Sequence, residues 1–344
     1  MSNPLVLHHE QMGAKLGEGR TPLSYASPVE EYWATRTHAG LVDLSHLGLL
    51  QVTGKDRLSF LNGLLTNEVS KLKEGEGVRS ALLNTKARVL ADLYLYARTD
   101  DLLIDTGDIP GAKVRDILDR FIITEDVQVK DIASGFVHLS LQGQQATDRA
   151  RDLFGTMFPD LKTLQHELLG PTMIIVRDRT GQSGYDLVIP NHEAEAVWQG
   201  LLLKGVTPVG LDALEILRLE AGYPRYGVDV DENTIILEAG YRDAISFNKG
   251  CYLGQEVVAR ATHIGRVNKN LVQFQTDSDH APSPKSKLHA NGKEAGYVTS
   301  AAFSPGLKAV IGLGYAQRDF AKVGTKLIVE SGSGPLPTVV TKLV

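Results

Sequence analysis

The stretch Asn84-Thr85-Lys86-Ala87-Arg88-Val89-Leu90-Ala91-Asp92-Leu93-Tyr94-Leu95-Tyr96-Ala97 lies in the region with the strongest strand signal of the chain. From Val89 onward the side chains alternate. Val89, Ala91, Leu93 and Leu95 share one face, and Leu90, Asp92, Tyr94 and Tyr96 share the other. One face is apolar, whereas the other sets a carboxylate beside two tyrosines, as in a half-buried strand. Residues 80–84 and 102–105 read as further strands, and Thr99, Asp100 and Asp101 supply a turn.

Working outward, Leu58, Leu61, Leu64 and Leu65 predict an amphipathic helix over 55–65, and Pro110 opens a second one that runs to about residue 121. Strands over 127–130 and 137–141 lead to a helix over 143–154. The order then repeats, with strands over 173–176 and 185–189 and helices over 192–203 and 211–218. No glycine-rich turn between a strand and a helix matches the dinucleotide fingerprint, so the class is α+β without a Rossmann unit. Before residue 50, Pro22 and Pro28 suggest a loop feeding residues 29–37, and 49–53 alternate weakly. Past residue 270, strands over 271–276, 295–299, 309–315 and 326–330 are separated by Gly, Pro and Ser turns, which suggests a small barrel or sandwich. Residues 277–287 and the Gly332-Ser333-Gly334 triplet read as loops.

A chain of 344 residues exceeds what one core serves, and 42% apolar content can fill two or three units. A net charge of -5 carries no basic footprint, so direct nucleic-acid binding is not expected. A single cysteine excludes an internal disulfide and a four-cysteine metal or cluster site within one chain. The ten histidines show no ligand spacing, and no metal is expected. With no apolar run of the ~18 residues a span requires, the expectation is a cytoplasmic protein without membrane contact.

That cysteine lies in Lys249-Gly250-Cys251-Tyr252-Leu253-Gly254-Gln255-Glu256-Val257-Val258-Ala259-Arg260. A cation two residues earlier, Lys249, would favour the reactive thiolate of Cys251, and the glycines allow tight bending. A buried, inert thiol is the alternative.

Several ordered segments resemble one family. His9 with Gly13-Ala14-Lys15, the run from Gly40 to His46, Asn84 to Asp92, Leu141-Gln142-Gly143, Thr180 to Asp186, Arg218 to Gly222, and Gly296 to Ser300 are similar to the glycine cleavage T-protein, a folate-dependent aminomethyltransferase. The resemblance implies a folate-binding fold of intertwined α+β lobes around a central opening over residues 1–268, followed by a C-terminal β-barrel over 269–344. The segment around Cys251 resembles the YgfZ-type branch instead. That branch implies a tetrahydrofolate-binding accessory protein that serves iron-sulfur assembly or client proteins, including tRNA-modifying enzymes, with Cys251 essential. Aminomethyl transfer of the T-protein type is the alternative, and a cluster bridged to a partner through Cys251 a third reading.

The resemblance also implies site residues for tetrahydrofolate or a one-carbon derivative. Asp92 aligns with the aspartate that T-proteins place near the reacting folate nitrogen, where a carboxylate can exchange a proton. The family has two adjacent acids and a glycine pair there, and this chain has Ala91 before Asp92 and Ala87-Arg88 in place of the glycines. Asp186 takes the place of the pterin-reading glutamate, Glu220 and Tyr226 line the implied opening, and Arg260 and Arg266 could meet the glutamate tail. Without the resemblance, Asp92 reads as a solvated strand residue, Asp186 as a turn aspartate and the arginines as surface charges.

Overall fold

The computed structural model describes residues 3–155, 158–263, 267–332 and 334–344. The alternating segment at 89–97 forms the strand Val89–Ala97, second in a five-stranded sheet of order Gly77–Leu83, Val89–Ala97, Leu102–Asp105, Leu49–Thr53, Gln128–Asp131. A six-stranded sheet runs His166–Leu169, Thr172–Val176, Gly184–Pro190, Phe136–Gln142, Gly40–Asp43, Thr207–Val209, antiparallel except for its last pair. The α+β class is as expected.

The chain divides into two compact units that are interleaved in sequence: residues 3–61, 69–79 and 93–217 make the first, and 62–68, 80–92 and 218–344 the second. In the first unit the six-stranded sheet uses the period of two on both faces. Leu139, Leu141, Leu187 and Ile189 point to a core shared with the helices Ala146–Phe154 and Ala194–Leu203, centred on fully buried Trp198. Each such aliphatic side chain contributes about 1.5–3 kcal/mol by burial. On the opposite face Met173, Ile175 and Val188 pack with Leu49, Tyr96 and Leu103. The segment fed by Pro28 is the helix Pro28–Thr37, started by a capping box in which Ser27 Oγ accepts the Glu30 amide at 3.2 Å and Glu30 accepts the Ser27 amide at 3.3 Å.

In the second unit the choice between barrel and sandwich resolves to a closed six-stranded barrel of order Lys269–Thr276, Ala309–Gln317, Lys293–Ser304, Lys287–Ala290, Lys326–Ser331, Gly334–Leu343. The last strand closes it by pairing with the first. Sequence reading missed Gly334–Leu343, because Gly334, Pro335 and Pro337 read as punctuation. Those prolines sit where the strand pairs on one side, Pro337 opposite Ile328 and Pro335 opposite Glu330, ahead of Thr338, from which it also pairs with Lys269–Thr276. Among the described residues no helix is long and apolar enough to cross a membrane.

Candidate functional site

Asp92 is presented by a strand that begins at a tight turn. Asn84 Oδ1 accepts the amides of Lys86 at 2.9 Å and Arg88 at 3.1 Å, and the Ala87 amide donates to the Asn84 carbonyl at 3.0 Å. Ala87 has φ 56°, the left-handed backbone that glycine adopts freely and alanine only at about 1–2 kcal/mol. The chain thus makes a left-handed turn with alanine at this position. Ala91 is fully buried and Asp92 half-buried, on opposite faces of the strand. An acid at position 91 would point into the core, so its replacement by alanine leaves the face of Asp92 intact.

Residues 230–245 back this turn. The Val89 amide donates to the Thr234 carbonyl at 3.0 Å and the Ile236 amide to the Ala87 carbonyl at 3.1 Å. The hydroxyl of half-buried Tyr226 donates to the Val89 carbonyl at 3.4 Å. Burial, helped by Glu232 and Asp231, pushes this phenol up to about 12, so it stays a proton donor at neutral pH.

The cysteine segment packs on the same turn. Lys249 is buried and donates from Nζ to three backbone carbonyls, Asn62 at 2.6 Å, Leu65 at 2.8 Å and Asn67 at 2.8 Å. Burial pushes its ammonium down to about 8 against the opposing pull of Glu68. This corrects the expectation that Lys249 activates a thiolate: its donors are spent on backbone carbonyls at and just after the end of the helix Arg57–Leu64. Cys251 is exposed, which also removes the buried-thiol alternative, and Tyr252 enters the core with Ala81, Leu83 and Val89. Gly254, at φ +83°, lies where an added Cβ would stand 2.6 Å from the Asn84 carbonyl oxygen and 3.3 Å from Ala87 Cα. Gly254→Ala is therefore expected to cost about 2–3 kcal/mol, combining left-handed strain with the clash. A urea midpoint that does not move would refute that account.

Glu220 and Arg218 lie at the end of the helix Leu211–Ala221, stopped by Gly222 at φ +77°. Arg218 Nη1 donates to Asp229 Oδ2 at 2.7 Å, and the other oxygen of Asp229 accepts the hydroxyls of Thr299 at 2.5 Å and Ser300 at 2.6 Å. The Gly296-to-Ser300 run thus anchors residues 218–229 to the barrel. Glu220 accepts the Ser304 hydroxyl and serves the same anchoring. Arg260 is exposed and pairs with Glu256 at 2.8 Å on the helix Gln255–His263. Arg266 lies outside the described residues.

Asp186 belongs to the first unit and is corrected. It is fully buried on the sheet face that carries Val188, with His138 and Ser140 on the neighbouring strand. Its Oδ1 accepts Ser140 Oγ at 2.7 Å and Arg179 Nε at 3.0 Å, and its Oδ2 accepts Arg179 Nη2 at 2.7 Å, while His138 Nε2 stands 3.3 Å from it. Arg177 pairs with Asp105 and lies 3.5 Å over the Tyr94 ring. Burial alone would raise the Asp186 carboxyl, but Arg179, His138 and Arg177 hold it well below the usual carboxylate range. Asp105, His138 and Asp186 bring ligand atoms within 4.8 Å of one another, yet both carboxylates already face guanidinium groups. A carboxylate so saturated has no oxygen left to read a pterin edge. Sequence reading missed Arg177, Arg179, Asp105 and Asp229. The signal for the arginines was their spacing of two, across the Gly181 turn from Asp186.

Residues 5–249 match the family model described as the GCVT N-terminal domain, and residues 269–344 that of the glycine cleavage T-protein C-terminal barrel domain. A protein of Thermosynechococcus vestitus named aminomethyltransferase is 31% identical, covering 97% of this chain and 92% of its own length. One of the same name from Geobacillus sp. is 32% identical over 95% and 93%. The crystal structure of glycine cleavage system aminomethyltransferase T from Bartonella henselae superposes with a TM-score of 0.92 at 29% identity, over 99% of this chain and 96% of that one. These likenesses overturn the iron-sulfur accessory reading, with its assembly clients and its tRNA-modifying enzymes. They favour the alternative, because full-length relatives carry the aminomethyltransferase name. The chain belongs to the glycine cleavage T-protein family.

Proposed function

We propose that this protein is a folate-dependent aminomethyltransferase in which Asp92 does the acid-base work. The observation that carries the reading is Asp92 itself: half-buried, on an ordered strand, behind a turn that takes its left-handed form with alanine. The donor set fits tetrahydrofolate at one of two expected contacts. Asp92 stands on a half-open face with the Tyr226 phenol on the same unit, whereas Asp186 has no oxygen to spare. When bound, tetrahydrofolate supplies the nitrogen that takes up the one-carbon unit. Asp92 holds or removes a proton at that nitrogen, since a carboxylate within hydrogen-bond reach can do so in the transition state. Tyr226, kept protonated, donates to the Val89 carbonyl and so braces the strand that carries Asp92. The division at residues 268 and 269, and a place for Arg260 and Arg266 at the glutamate tail, belong to the same proposal.

The test is turnover. With an aminomethyl group held on a donor thiol and with tetrahydrofolate, methylene-tetrahydrofolate, ammonia and the freed thiol are expected in equal amounts. Calorimetry that finds no tetrahydrofolate binding at millimolar concentration would remove the reading.

A further inference from the structure

The segment around Cys251 is the motif that the proposed chemistry leaves without a task, and its contacts give it one. Lys249, Tyr252 and Gly254 each touch the support of the Asp92 strand. Lys249 draws together the carbonyls of Asn62, Leu65 and Asn67. Between these, Thr66 is locked on both sides: its amide donates to the Ala81 carbonyl at 3.1 Å, its Oγ1 accepts the Ala81 amide at 2.9 Å, and its hydroxyl donates to the Ala244 carbonyl at 2.6 Å. Asn67 Nδ2 donates to the Asp243 carbonyl at 2.9 Å, and the Ser246 amide donates to the Thr66 carbonyl at 3.0 Å. Residues 243–249 are thereby tied, through 65–67, to Ser80 and Ala81 on the strand preceding the turn. Gly254 then meets the turn itself at Asn84 and Ala87, and Tyr252 fills the core beneath Leu83 and Val89.

We propose that Lys249 and Gly254 are positioning residues that act through the turn at residues 84–88 to fix the carboxylate of Asp92. The thiol is incidental to this task, since Cys251 points to solvent from the loop between them. The physical basis is the steep dependence of rate on placement, because a shift of about 1 Å at a reacting group can cost up to ~10²-fold. Removing the three donors of Lys249 leaves the carbonyls of 62, 65 and 67 without their cation and frees residues 65–67 to shift. The turn would then hold Ala87 in its left-handed form with less support.

This inference rests on the transferase reading, and a double-mutant cycle separates the two. Lys249→Met is expected to lower kcat about 10-fold while the KM for tetrahydrofolate changes less than about threefold. In an Asp92→Asn background the same change is expected to lower kcat by less than about twofold, because there is no longer a carboxylate to misplace. Amide hydrogen exchange over residues 84–92 is expected to quicken about tenfold in Lys249→Met, with exchange in the Ala309–Gln317 barrel strand unchanged. Should Lys249→Met fail to fold, Gly254→Ala enters the same cycle from the other contact. Equal losses of kcat in both backgrounds, or unaltered exchange over 84–92, overturn the proposal. A wild-type protein that makes no methylene-tetrahydrofolate sinks the transfer reading itself. The exchange measurement would still decide whether the segment fixes the turn.

Discussion

Asp186→Asn is expected to destabilise the protein by about 3–5 kcal/mol at neutral pH, the range for removing one partner of a buried ion pair. The substitution keeps the shape of the side chain but removes the charge that Arg179 grips through two nitrogens. Arg177 and Arg179 would then share Asp105 alone as a carboxylate partner in this cluster, and an Asn amide would turn a donor toward other donors. The sign of the pH dependence follows from the direction of the shift. The folded-state carboxyl is depressed below its ordinary value near 3.8 despite burial, so its stabilisation is fully present above about pH 4–5 and is lost as pH falls toward the folded value. Urea unfolding at pH 7 and at pH 3 should show the gap between wild type and variant shrinking in acid. A gap below about 1 kcal/mol at pH 7, or one that ignores pH, would mean that the cluster is far wetter than its geometry indicates.

Periodicity carried most of the fold because its signals are local. The alternation in 89–97 and the leucine spacing at 58–65 each describe a segment of chain by itself, and each corresponds to an element. Several strands escaped, among them His166–Leu169, Lys287–Ala290 and Gly334–Leu343, which are either four residues long or interrupted by proline and take their form from pairing with their neighbours in the sheet. Even within Val89–Ala97 the polar face was only partly as read, since Tyr96 is buried against Leu49 and Leu103.

The site was less legible, because side-chain chemistry depends on neighbours the sequence does not display. Lys249 precedes Cys251 by two residues, which suggested a cation beside a thiol, yet its ammonium serves carbonyls more than 180 residues away in sequence. Asp186 offered an acid of the right type after Gly184-Tyr185. The two arginines that claim it became visible only when the turn at Gly181 folded them back. The placement of Asp92 was legible for the opposite reason. Its face is set by strand alternation alone, so the same rule that found the strand also oriented the carboxylate.

Asp92→Asn should lower kcat for methylene-tetrahydrofolate formation by about 10²–10⁴-fold, the usual contribution of a positioned acid or base. Asn has nearly the same volume and can still accept a hydrogen bond, but it cannot take up a proton. The loss should therefore fall on kcat, with tetrahydrofolate affinity within a few-fold of wild type. Stability should change by no more than about 0.5 kcal/mol, because the side chain is half-exposed and its strand is held by main-chain pairing. Asp92→Glu restores the chemistry on a longer arm and should recover part of the rate, because a proton acceptor displaced by one methylene still reaches its partner in some conformations. A loss below about tenfold in Asp92→Asn, with the protein folded, would transfer the acid-base role to another group. The phenol of Tyr226, tied to the same strand through the Val89 carbonyl, would be the first to replace.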